Sequence, residues 1–123
     1  MTKFYVASKS KHGPMWLKWR DEGVQITARW IDKWNGGRFS AEQQTQHWDD
    51  ILQDVKDCDA LVLYAEEGEI QKGSLGEWGM AFALGKELYY VGPVNDETFT
   101  GLDHARVKHC ASLEEVFGRD RAK

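Results

Sequence analysis

Apolar and polar positions along the chain alternate with two different periods. Phe4-Tyr5-Val6-Ala7 is an unbroken apolar run, the pattern of a strand covered on both faces. It gives way to Ser8-Lys9-Ser10-Lys11-His12-Gly13-Pro14, a polar and basic loop. Pro14 stands where a fixed φ and a missing N–H suit the start of a helix. Met15 to about Glu22 reads as a short helix with Trp16 and Trp19 on one face, ended by Gly23. Val24, Ile26, Ala28 and Trp30 alternate with Gln25, Thr27, Arg29 and Ile31, which predicts a strand at a sheet edge. The stretch from Lys33 to Gln46, with Gly36-Gly37 and a polar tail, reads as a loop. Trp48, Ile51, Leu52 and Val55 then mark the apolar stripe of a helix.

Ala60 to Ala65 is the second buried run and predicts a central strand. A loop from Glu66 to Gly73 leads into a helix from about Leu75 to Leu84, closed by Gly85-Lys86. Leu88 to Val91 is the next strand, stopped by Gly92-Pro93, and Arg106 to Cys110 is a short last one. Ser112 opens a final helix through Phe117, with Glu115 at capping-box spacing and Gly118 as the expected stop. Alternating strands and helices of this length imply a parallel sheet with helices on both faces. The expectation is a single α/β domain over residues 1–123: a flavodoxin-like or Rossmann-like three-layer fold. Its five-stranded, mainly parallel sheet would have the order 2-1-3-4-5. Ligands of such folds sit beyond the carboxyl ends of the strands, near the switch between strands one and three. There the loops Ser8–Pro14 and Glu66–Ser74 are expected to meet.

Composition narrows the function classes. The chain has 123 residues, 29% of them charged, and a formal net charge of −4. That balance argues against a surface for a nucleic-acid polymer. No apolar run approaches the roughly 18 residues that span a bilayer, and the N-terminus lacks the apolar stretch of a signal peptide. The expectation is a cytoplasmic protein without a membrane partner. Cys58 and Cys110 lie far apart in sequence, so neither a disulfide framework nor a zinc cluster is indicated. Six tryptophans, Trp16, Trp19, Trp30, Trp34, Trp48 and Trp78, are many for this length. They suit a core, a pocket for a flat ligand, or a subunit interface.

Two constellations carry candidate chemistry. Gly73-Ser74-Leu75-Gly76-Glu77-Trp78-Gly79 opens a helix at the ligand end of the sheet, without a dinucleotide or phosphate-loop motif. Glu77 either caps the helix through Ser74 or points at a substrate for which Gly76 and Gly79 clear space; those glycines equally suit close helix–sheet packing. Ser8, Lys9, Ser10, Lys11 and His12 combine hydroxyls and cations before a helix, either an anion site for a 5′-phosphate or a solvated loop. Asp49 and Asp50 fall in the predicted first turn of a helix, where the dipole favours acids. Trp30 and Trp34 flank the end of the second strand and either stack on a base or pack in the core. The four histidines show no metal-ligand spacing, and no metal or cofactor is implied.

Several stretches resemble bacterial and phage proteins of the nucleoside 2-deoxyribosyltransferase-like family. They include Phe4 to His12, Thr27 to Asp32, Ala60 to Glu66 and Lys72-Gly-Ser-Leu-Gly-Glu-Trp-Gly-Met-Ala81. The similarity continues through Ala83 to Lys86 and Tyr90 to Gly92 to Ala111–Val116. The resemblance implies the same flavodoxin-like fold and cleavage of the N-glycosidic bond of a deoxynucleoside or its 5′-monophosphate. Glu77 then matches the family's nucleophile, Tyr5 the strand-one tyrosine that positions it, and Asp50 or Asp49 the acid that handles sugar or base. A further family acid falls on Gln71, a departure that bears on protonation of the leaving base. Ser8, Lys9, Lys11, Trp30, Gly73 and Ser74 are the candidate substrate-binding residues. A homo-oligomer is also implied. Two other readings stand beside this one: a nucleotide-binding or sensing module without turnover, and an N-glycosidase acting on NAD-like dinucleotides.

Overall fold

The computed structural model describes residues 1–33 and 39–121. Trp34 and the Gly36-Gly37 pair of the predicted loop lie outside the described residues. Five strands form one sheet: β1 (Lys3–Ala7), β2 (Gln25–Ile26), β3 (Ala60–Tyr64), β4 (Glu87–Val91) and β5 (Val107–His109). The order is β2-β1-β3-β4-β5, and every pair is parallel. This is the predicted topology. The helices are α1 (Gly13–Asp21), the short α2 (Trp30–Lys33), α3 (Ala41–Asp57), α4 (Gly73–Ala83) and α5 (Leu113–Arg121).

Strand alternation divides the core into two layers. Phe4 points to one face, where its ring meets Phe117 of α5 edge-on at 5.0 Å. Trp16 and Trp19 of α1 pack on the same Phe117 ring. Trp16 is fully buried, a large apolar gain because aromatic side chains of this size bury about 150–250 Å² each. Tyr5, the next residue, points to the opposite face and reaches Glu77 of α4. Helix α3 lies beside α4 there, with the Trp48 indole against the first turns of α4. The two central strands β1 and β3 are buried on both sides apart from the ends Lys3 and Tyr64, as their unbroken apolar runs require.

Three element readings differ from the sequence expectation. Only Gln25 and Ile26 pair with β1, where alternation predicts a strand to Ile31. Thr27 still donates its N–H to the Phe4 carbonyl at 2.8 Å. Beyond it, the Thr27 hydroxyl goes to the Asp54 carbonyl and the Arg29 N–H to the Asp54 carboxylate. Asp54 therefore draws the chain off the sheet edge, and Trp30 and Ile31 are both buried in a helical turn. Helix α3 begins at Ala41, well before the apolar stripe. Its start is a capping box in which Ser40 accepts from the Gln43 N–H at 3.2 Å and Gln43 accepts from the Ser40 N–H at 2.8 Å. His47, which directly follows the predicted loop, therefore sits inside the helix. Finally, Gly118 does not stop α5, which continues to Arg121. A glycine costs a helix about 1 kcal/mol but does not forbid it. Gly23, by contrast, takes φ +106° and ends α1 as expected.

Candidate active site

Helix α4 starts at the carboxyl edge of the sheet, after the loop that leaves β3. Glu77 is its fifth residue, about 6 Å along the axis at 1.5 Å per residue, and its side chain turns inward over β1. The Tyr5 hydroxyl donates to Glu77 Oε1 at 2.6 Å. Glu77 is 7% exposed and Tyr5 is fully buried. Burial pushes the carboxyl up to about 8, while the Tyr5 hydrogen bond pulls the other way. Burial and the neighbouring Glu77 hold the Tyr5 phenol well above its ordinary value, so it stays protonated and acts as a donor. A carboxyl that desolvation brings near neutral pH, and that one short hydrogen bond orients, can ionise and attack, or carry a proton.

The capping alternative for Glu77 does not hold. The residue at the N-cap is Lys72, whose side chain makes no cap bond, and the Ser74 hydroxyl is engaged by the Gln71 side-chain oxygen. Ser74 is buried with that contact. The Gln71 side-chain nitrogen, at the position where the resembled family has an acid, is buried without a hydrogen-bond partner. A Cβ on Gly73 or Gly76 would lie 3.8 or 3.5 Å from the Trp48 ring. Both are ordinary contact distances, so these glycines border the contact between α3 and α4 rather than the sheet, and a Cβ would fit there. Gly79 faces open space.

A second acidic group flanks Tyr5 from α3. Asp54 is buried and takes two hydrogen bonds from Arg29, from its backbone N–H at 2.9 Å and its Nε at 2.8 Å. Its charge also raises the Tyr5 value. Sequence reasoning passed over Asp54, although a carboxylate between Ile51 and Val55 on a buried stripe is itself a signal. Asp50 is not a first-turn acid as expected; it lies midway along α3. Lys33 Nζ and Gln46 Nε2 each reach it at 2.9 Å, and these contacts hold it below the usual carboxylate range. Asp49 is exposed on the same helix. Trp30 takes its core role: it is 9% exposed and donates from Nε1 to the Val6 carbonyl at 2.9 Å.

The two loops at the ligand end do meet. His12 Nε2 lies 2.8 Å from Glu69 Oε2, and Lys11 Nζ lies 3.2 Å from the same oxygen. Lys11 is thus engaged by an acid of the second loop. Ser8 is engaged as well, since its Oγ accepts from Trp16 Nε1 at 2.9 Å and donates to the Lys9 carbonyl. Lys9 is half-buried, and among the described residues its ammonium meets no carboxylate. The convergence of Glu66 and Glu69 on His12 has no spacing signal, because His12 comes from the loop after β1 and both glutamates from the loop after β3. Cys58 and Cys110 are both buried, and neither is in a disulfide.

No family model and no curated protein matches the chain. Among solved structures it is similar to a CMP N-glycosidase, BcmB, of Clostridium botulinum. The two share 16% sequence identity at a TM-score of 0.60, over 98% of this chain and 99% of that one. The likeness is one of fold, and it runs through the whole five-stranded sheet.

Proposed function

We propose that the protein cleaves the N-glycosidic bond of a nucleoside or nucleoside 5′-monophosphate, with Glu77 as nucleophile. The observation that carries this reading is the buried Tyr5–Glu77 pair, 2.6 Å apart, at the ligand end of a doubly wound sheet. The matching fold of a CMP N-glycosidase supports the reaction class, and the resemblance of Lys72–Ala81 supports the choice of Glu77.

In this mechanism the ionised Glu77 carboxylate attacks C1′ while the base departs, through a transition state of oxocarbenium character. The C1′–N bond breaks and a C1′–O bond to Glu77 forms, giving a glycosyl ester. The departing base takes its proton from solvent, since the amide of Gln71 is not an acid. Water then hydrolyses the ester, or a second base displaces it, with net retention. Tyr5 is a positioning residue: its O–H fixes one carboxylate oxygen and leaves the other to attack. Lys9 is the first-loop cation best placed for a 5′-phosphate, because Lys11 is already paired. A deoxyribose substrate and transfer to an acceptor base are the finer expectations from the resembled family.

Wild type and Glu77→Gln are to be incubated with ribo- and deoxyribonucleosides and their 5′-monophosphates, with and without acceptor base. Chromatography resolves released and exchanged bases. Release or exchange that falls at least 10³-fold in Glu77→Gln is the expected result, and acceptor dependence separates transferase from hydrolase. Equal rates in the two proteins would remove Glu77 as nucleophile. Gln71 in place of an acid favours one rival, a nucleotide-binding module; nucleotide binding by wild type without any turnover would establish that instead.

A further inference from the structure

We propose that His12, Glu66 and Glu69 form a site for one divalent transition-metal ion of the zinc class, bridging the loops that follow β1 and β3. His12 Nε2 lies 2.8 Å from Glu69 Oε2 and 3.9 Å from Glu66 Oε1. One donor atom from each of the three residues fits within a 4.8 Å span. Tetrahedral ligands at about 2.1 Å from zinc stand about 3.4 Å apart, a spacing that these separations bracket.

The outer contacts orient the three donors. Glu69 Oε1 is held by the Glu66 N–H at 2.8 Å, which leaves Oε2 turned to His12. Glu66 Oε2 is held by the Tyr64 hydroxyl at 2.6 Å, which leaves Oε1 turned the same way. The Tyr64 ring meets the His12 imidazole edge-on at 5.1 Å and fixes its plane. Anchoring of the second oxygen of both glutamates is the usual support of a metal site. The turn from Glu66 to Glu69 is closed by the Glu69 N–H on the Glu66 carbonyl at 3.1 Å, with Gly68 at φ +79°. That turn puts both carboxylates on one side.

Donor chemistry selects the ion. An imidazole with two carboxylates suits zinc and its transition-metal neighbours, whereas magnesium and calcium take all-oxygen sets. The Glu69 and His12 side chains are 7% and 10% exposed, and Glu66 is open at 49%. A fourth position is thus left on the solvent side. Lys11 Nζ now neutralises Glu69 from that side, on a side chain 63% exposed. A divalent ion displaces it, and that displacement gives the site a distinctive test.

Zinc sulfate is titrated into metal-free wild type by calorimetry, with magnesium chloride as the control. The proposal expects one zinc per chain, no magnesium binding, and a melting temperature about 10 °C higher at free zinc 100-fold above Kd. Glu66→Gln, at an exposed position, lowers affinity at least 100-fold; Tyr64→Phe lowers it about 10-fold. Lys11→Ala tightens binding, because it removes the competing ammonium. Cobalt(II) gives a spectrum without a thiolate charge-transfer band, which excludes Cys58 and Cys110. Absence of zinc binding, equal affinity in Glu66→Gln, or weaker binding in Lys11→Ala would overturn the proposal and leave a salt-bridge cluster. None of these readouts depends on the reaction assigned to Glu77.

Discussion

Replacing Glu77 with glutamine removes an ionisation that burial opposes. The carboxyl of the folded chain sits at about 8, against an ordinary 4.5. Below 4.5 both folded and unfolded chains hold the proton, and the fold bears no cost. As pH rises toward 8 the unfolded chain releases the proton while the folded one keeps it. Stability therefore falls by up to about 1.4 kcal/mol per pH unit, and between pH 4 and 8 the loss integrates to about 4 kcal/mol. Glutamine keeps the shape, accepts the Tyr5 O–H, and has no proton to release. Glu77→Gln and wild type should thus be equally stable at pH 4. At pH 8 the variant should be more stable by about 4 kcal/mol, or about 15 °C in melting temperature. Urea unfolding followed by tryptophan fluorescence at pH 4 to 9 measures the difference, and all other titrating groups cancel in the comparison. A difference flat within about 1 kcal/mol over this range would refute the reasoning. The same substitution abolishes the proposed reaction, so stability and activity should move in opposite directions.

Four other outcomes are expected. If ionised Glu77 attacks, kcat/KM on the best substrate rises with pH, with its midpoint at about 8; a flat profile would count against it. In Tyr5→Phe the hydrogen bond that lowers the Glu77 value is gone. The profile should then move to higher pH and the rate at pH 7 fall about 10- to 100-fold, the worth of a charge-assisted hydrogen bond. Gly76→Ala should stabilise the protein by up to about 1 kcal/mol in urea unfolding, because its Cβ meets Trp48 at an ordinary contact distance; destabilisation would show that α3 and α4 tolerate no added atom. Lys9→Ala should raise KM at least 10-fold for a 5′-monophosphate and leave the nucleoside unchanged, whereas equal effects on both would remove Lys9 as a phosphate ligand.

Much of the fold was legible because buried parallel strands write themselves as continuous apolar runs. Phe4–Ala7 and Ala60–Ala65 identify the two central strands without reference to anything distant, and the helices between them dictate a parallel sheet. The sheet order follows from which runs alternate and which do not. Where local pattern was misread, a long-range polar contact decided. Asp54 captures the Arg29 N–H and ends β2 after two residues, although the alternation through Ile31 continues. Polar first turns hide the start of α3, and only the Ser40–Gln43 capping box marks it.

The candidate site divides in the same way. Glu77 was nameable from the resemblance of its surrounding segment, and Tyr5 with it. From local pattern alone, Ser74 and Glu77 suited a helix cap equally well. The actual partner of Ser74 is the nearby Gln71, and that of Glu77 is Tyr5; the second pairing depends on how α4 is rotated over β1. Helix rotation is set by packing against α3, through Trp48 on Gly73 and Gly76. The His12–Glu66–Glu69 cluster was invisible, because His12 lies more than 50 residues from the two glutamates, in a different loop. Periodicity reports which side of an element is buried. Only the closed sheet and its crossovers determine which side chains from different elements come within hydrogen-bonding or ligand distance of one another.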